Sequence, residues 1–171
     1  MVTGSVLFSE TQRFRQWWIV AVLGVIALGS LWAFVQQVVI GEPFGDNPAS
    51  DGWLIAIVVV FGMGLPAFIL SISLRTEVRR DAVLVRLWPI HRNWVRIPVA
   101  TVHEAAAVTY SPIREYGGWG LRYGPNGKAY NVRGNRGVRI VHGSGERLLI
   151  GSQRADDLAR AIAAARGEAR G

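Results

Sequence analysis

Two long apolar runs dominate the pattern of the chain. Residues 17–40, WWIVAVLGVIALGSLWAFVQQVVI, carry no charge, and only Ser30, Gln36 and Gln37 are clearly polar. Residues 53–74, WLIAIVVVFGMGLPAFILSISL, are equally free of charge. As helices the two would measure about 36 and 33 Å, against roughly 30 Å for the hydrocarbon layer of a bilayer. The rest of the chain is too short to surround two helices that are apolar all round, which disfavours a buried-core origin. A cleavable leader has a shorter apolar stretch, so the first run reads as an uncleaved anchor. The Gly-, Pro-, Asn- and Asp-rich segment 41–52, GEPFGDNPASDG, is a tight loop that can only join antiparallel neighbours. The pattern predicts a transmembrane hairpin. Trp17, Trp18 and Trp53 lie at span ends, where indole rings settle at headgroup level, and Pro66 with Gly62 and Gly64 predicts a kink or a small-residue packing face.

Beyond residue 75 the period changes to two. Alternating segments at 75–79, 83–88, 94–97, 102–110, 120–123, 129–132, 138–142 and 148–150 read as strands. They are divided by turn signals at Arg80-Asp81, Pro125-Asn126-Gly127, Gly134-Asn135-Arg136-Gly137 and Gly143-Ser144-Gly145. After Ser152, a plausible N-cap, the period lengthens. Asp156 and Asp157 favour a first helical turn, Leu158, Ala159, Ile162, Ala163 and Ala165 repeat at helical spacing, and Gly167 ends about three turns. Short strands followed by one C-terminal helix is the order of a pleckstrin-homology-like (PH-like) barrel. The expected fold is therefore an α+β membrane protein, an N-terminal transmembrane helical hairpin plus a PH-like antiparallel β-barrel capped by a C-terminal α-helix. Its divisions are a cytoplasmic N-terminal segment 1–16, spans 17–40 and 53–74, an extracytoplasmic loop 41–52, the PH-like domain 75–166 and a tail 167–171.

Charge orients this arrangement. Arg13 and Arg15 precede the first span and Arg75, Arg79 and Arg80 follow the second, whereas the loop holds Glu42, Asp46 and Asp51 and no basic residue. Basic residues near spans stay cytoplasmic, which places both termini inside, at the inner membrane. The same five arginines are candidate lipid-headgroup contacts. Only 18% of the 171 residues are charged, fewer than the roughly 25% of a soluble domain, yet the net charge is +7. The absence of cysteine excludes disulfide scaffolds, thiolate zinc sites and cysteine nucleophiles. Neither span holds an ionisable residue, which disfavours transport.

The strings YSPIREYGGWGLRYG (residues 110–124), AYNVRGNRGV (129–138) and LLIGSQ (148–153) resemble a family of uncharacterised bacterial membrane proteins over roughly residues 10–165. The resemblance implies an architecture of two N-terminal spans and a PH-like cytoplasmic domain, and no catalytic residue.

Two segments are candidates for binding. In Arg114-Glu115-Tyr116-Gly117-Gly118-Trp119, with Arg122 nearby, paired glycines allow close backbone approach while rings and guanidinium forks offer contacts to an anionic headgroup, a peptide strand or a partner protein. The alternative is a glycine bulge with its aromatics packed on the barrel. Arg133, Asn135 and Arg136 crowd a hairpin turn that either meets anionic lipid or is simply solvated. His91, His103 and His142 have no metal-ligand spacing, and no metal or cofactor is expected. Gly151-Ser152-Gln153 lacks the second glycine of a nucleophile elbow. The basic residues are scattered along strands rather than gathered on a recognition helix, which argues against nucleic acid. The expected function is a non-catalytic binding or assembly module at the cytoplasmic leaflet. Its partners are the bilayer and a membrane protein or its own copies, with anionic-lipid or small-ligand recognition as the alternative. A membrane enzyme or transporter accessory subunit is the third class.

Overall fold

The computed structural model describes residues 5–14, 16–124 and 126–169, with no account of the Glu168 side chain; Arg15 and Pro125 lie outside the described residues. The chain forms two compact units, Phe14–Ser71 and a second made of Met1–Arg13 with Ile72–Gly171.

The first unit is a helical hairpin, α1 (Trp17–Ile40) and α2 (Asp51–Ser71), both long and apolar enough to cross a membrane. Only 11% of each helix's most apolar window is buried, unlike the core helix of a soluble protein. The second helix begins and ends earlier than its apolar run suggests, because Ser73 and Leu74 already belong to a strand. Gly62 lets the helices approach closely, since a Cβ there would stand 2.9 Å from that of Ser30. The small-residue packing face expected around Gly62 is thus present. Wider π-type turns at Val58–Gly64 adjoin Pro66, which has no N–H to give the ladder. Gln37 Nε2 donates to Ala49 O and Asp51 Oδ1, both at 2.7 Å, and Gln36 Nε2 donates to Glu42 Oε2 at 2.9 Å, which ties the loop to the end of α1.

The second unit holds two sheets. Strands β1 (Val6–Arg13), β2 (Ser73–Arg79), β3 (Ala82–Trp88) and β4 (Val95–Pro98) form an antiparallel sheet in that order. Strands β5 (Val102–Thr109), β6 (Gly120–Gly124), β7 (Gly127–Asn131), β8 (Arg136–His142) and β9 (Glu146–Gly151) form a sheet of order β5-β8-β9-β7-β6. Neither sheet closes, and β7 runs parallel to β9, so the expected all-antiparallel barrel gives way to two open sheets with one parallel pair. In β3 the inward face is the one expected, with Val83, Val85 and Leu87 wholly buried; on the other face Trp88 is exposed and Arg86 half-buried, but Leu84 is buried too. Helix α4 (Ala155–Glu168) presents Ala155, Leu158, Ile162 and Ala165 to the core, all at 0% exposure, while Ala163 is exposed. It is a turn longer than expected and continues past Gly167.

One strand changes the organisation. Residues 6–13, expected to be a separate cytoplasmic segment, pair with β2 from Val6↔Arg79 to Arg13↔Ser73. The helical hairpin is therefore an insertion between two hydrogen-bonded neighbours. Two polar side chains of β1 fasten it across the chain. Gln12 Nε2 donates to Gly151 O at 2.7 Å, and Glu10 accepts from Ser152 Oγ at 2.5 Å and from the Gln153 N–H at 3.0 Å. Ser152 is thereby a buried link rather than a surface N-cap, although its Oγ also accepts from the Arg154 N–H at 3.0 Å.

Candidate functional site

The segment read as a glycine loop begins as a short helix, α3 (Pro112–Tyr116). Ser111 caps it: its Oγ accepts from the Arg114 N–H at 3.4 Å and its own N–H donates to Glu115 Oε1 at 2.7 Å. Gly117, at φ +71°, ends the helix in the left-handed region, and the N–H groups of Gly117 and Gly118 return to the carbonyls of Ile113 and Pro112, both at 2.9 Å. The glycines thus serve neither a bulge nor an open loop but a helix stop. Tyr116 is buried, its ring edge-to-face with Tyr110 at 5.9 Å in a cluster with Ala129 and Leu149. Burial pushes the Tyr110 phenol up to about 12 and raises that of Tyr116 too, so both stay neutral as packing groups.

The two candidate segments meet. Trp119 Nε1 donates to Gly134 O at 3.3 Å, and Arg122 Nε donates to Trp119 O at 3.0 Å. Gln153 Nε2 donates to Arg133 O at 3.0 Å, and Arg136 pairs with Asp156 at 2.8 Å. Glu115 faces Arg139 at 3.8 Å. Arg114, Arg122, Arg133, Asn135 and Arg136 are exposed, so this end of the five-stranded sheet is a cationic surface rather than an enclosed pocket.

A cleft lies elsewhere, where β4 faces β7, β8 and β9. It measures about 430 Å³ and is lined by Arg96, Ile97, Lys128, Tyr130, His142 and Arg147, among others. Lys128, the single lysine of the chain, holds its ammonium 4.9 Å over the Tyr130 ring and 5.5 Å from that of Tyr123. Neither Lys128 nor Arg147 has a carboxylate partner among the described residues. His91 leans edge-on against Tyr130 at 5.6 Å; burial first, and then the Lys128 charge, lower its pKa and keep it neutral. His142 lies 3.5 Å from Glu146, and His103 Nε2 donates to Gly143 O at 2.7 Å, so the three histidines serve separate local contacts. Among the described residues no three His, Cys, Asp or Glu side chains gather as a metal site requires.

The arginines expected at headgroups divide. Arg13 and Arg75 sit at or near the Arg13↔Ser73 end of the four-stranded sheet. Arg79 and Arg80 lie six and seven residues beyond Ser73, the former about 20 Å along an extended strand, and Arg79 pairs with Glu77 at 2.8 Å. Glu10, Gln12, Lys128 and Tyr130 were not singled out from the sequence. Lys128 was detectable as the one lysine among 19 basic residues, flanked by Tyr123 and Tyr130.

The fold and its surfaces define a class: an α+β unit of two open sheets with an apolar helical hairpin inserted after its first strand. The chain belongs to a family of unknown function (DUF6141), whose model matches residues 2–168. No curated protein matches it.

Proposed function

We propose that the protein is a two-span membrane protein, with both termini cytoplasmic, whose folded unit is a non-catalytic binding and assembly module at the inner leaflet. The observation that carries this reading is the β1–β2 ladder: the strand entering the hairpin and the strand leaving it are neighbours at Arg13↔Ser73. A bilayer crossed between two paired strands must be crossed an even number of times, and the acidic 41–52 loop against basic flanks favours the folded unit inside. The PH-like reading draws on the order of elements. Setting aside the helical hairpin and the α3–β6–β7 excursion leaves four strands, then β5, β8 and β9, then α4. Open edges at β4 and β6 supply unpaired backbone to which an extended segment or a second copy can add.

Because the chain lacks cysteine, single cysteines can report its sidedness. With a membrane-impermeant maleimide on intact cells, Asn47→Cys should label at once and Ser144→Cys only after lysis. The reverse order, or equal labelling of both from one side, would overturn the reading.

The cleft favours a second reading, recognition of a small anion, because Lys128 and Arg147 face it without carboxylate partners. A charge-assisted contact is worth about 1.5–3 kcal/mol, so Lys128→Ala should weaken binding of glycerol 3-phosphate about tenfold or more by calorimetry on the full chain. Equal binding by the variant, or none by the parent, removes this reading.

A further inference from the structure

Trp88, Ile90 and Arg92 are exposed, at the end of β3 and in the turn that follows it. The turn is pinned from within. The His91 N–H donates to Leu87 O at 2.6 Å, and the His91 ring packs on Tyr130, which leaves the two apolar side chains outside. Strand register fixes which end of the sheet this is, because Trp88 pairs with Ser73 and Ser73 with Arg13. Both strands therefore leave for the helical hairpin at the end that carries Trp88. Ser73 follows the last residue of α2 by two positions, and paired strands lie about 5 Å apart, so Trp88 Cα is within about 13 Å of Ser71 Cα whatever the disposition of the two units.

Charge is graded along the same sheet. At the Trp88 end, Arg13, Arg75 and Arg92 are exposed and have no carboxylate partner among the described residues. Toward the other end, Arg79 pairs with Glu77 at 2.8 Å and Arg96 with Asp81 at 2.6 Å. Unpaired cations beside exposed Trp and Ile are the composition of a surface that enters a headgroup layer, where indole rings settle and each cation near anionic lipid is worth about 1 kcal/mol.

We propose that the β3–β4 turn is a third membrane contact: Trp88 and Ile90 enter the headgroup layer of the bilayer that the hairpin crosses, and Arg92, Arg13 and Arg75 meet anionic headgroups. The proposal rests on reading the hairpin as membrane-spanning. Its consequence is that the folded unit is held at three points and cannot pivot freely about its two linkers.

The test uses nitroxide-labelled single cysteines in the full chain, reconstituted into phosphatidylethanolamine–phosphatidylglycerol vesicles. Ile90→Cys is compared with Leu28→Cys, exposed on α1, and with Ser144→Cys in the β8–β9 turn. That turn, in the five-stranded sheet, adjoins the Asp81 end of the four-stranded sheet, opposite Trp88, since the Gly143 N–H donates to Thr101 O and the Val99 N–H to Asp81 O. Collision with a water-soluble nickel chelate should be several-fold lower at Ile90 than at Ser144, and lowest at Leu28. Equal collision at Ile90 and Ser144 with Leu28 protected overturns the turn's contact and leaves the spans standing. Equal collision at all three sites overturns the membrane reading and the proposal with it.

Discussion

Gly137→Ala is expected to destabilise the folded unit by about 3 kcal/mol, the upper part of the usual range for overpacking. Gly137 faces Gly151 in the β8–β9 ladder, and a Cβ on it would stand 2.5 Å from Ile150 O and 3.0 Å from Gly151 Cα. Backbone has no rotamer to move aside, so the strands themselves must part. The damage would spread, because the carbonyl of Gly151 accepts from Gln12 and the next residue, Ser152, donates its hydroxyl to Glu10. Denaturant unfolding of the full chain in detergent, followed by circular dichroism, measures the loss. Gly167→Ala is the matched control, since its Cβ would meet nothing within 4 Å on the open face of α4. A Gly137→Ala unfolding free energy within 0.5 kcal/mol of the parent would contradict the close pairing of β8 and β9.

Much of this fold is legible in the chain because its signals are local. Strand β2 alternates Leu74, Thr76 and Val78 inward, the apolar runs at 82–85 and 148–150 mark β3 and β9, and the glycines at 127, 134, 143 and 145 take the positive φ that their turns require. The Arg80-Asp81 turn is made without one. What escapes a sequence reading is the element whose partners are remote. Strand β1 turns Phe8, Glu10 and Gln12 inward; two of the three are polar, and their partners lie 139 to 143 residues away. Nothing within VLFSETQR announces burial. Leu74 shows the converse ambiguity, because it closes an apolar run that reads as membrane yet is wholly buried in the folded unit. Apolar character alone does not tell lipid from core.

The candidate site divides on the same principle. Ser111-Pro112 and Gly117 are local helix signals, legible in retrospect, whereas the burial of Tyr116 depends on Tyr110, Ala129 and Leu149 and follows from no local pattern. The sequence pairs Arg114, Trp119 and Arg133 only as separate basic and aromatic positions; the structure joins two of these segments through Trp119 and Gly134. The cleft is less legible still, since Arg96, Lys128 and Arg147 come from three strands of two sheets.

Phe8→Ala is expected to cost about 3–5 kcal/mol, the usual loss for truncating a buried phenylalanine. Phe8 is 5% exposed, and the Arg154 guanidinium lies 5.1 Å over its ring, so truncation opens a cavity and removes the face on which the start of α4 rests. The loss should fall first on β1, an edge strand whose only ladder is with β2. Hydrogen exchange at the β2 amides, measured beside global unfolding, should show protection lost in β2 before β3 is affected. This result bears directly on topology. While β1 stays in register with β2, Arg13 and Ser73, from which the chain leaves for the helical hairpin and returns, are held about 5 Å apart on one side of any membrane it crosses. A variant that releases β1 removes that constraint and leaves orientation to the flanking charges alone. If Phe8→Ala changed stability by less than 1 kcal/mol and left β2 protection intact, β1 would be a passive edge. Pairing of β1 with β2 would then no longer dictate an even number of crossings.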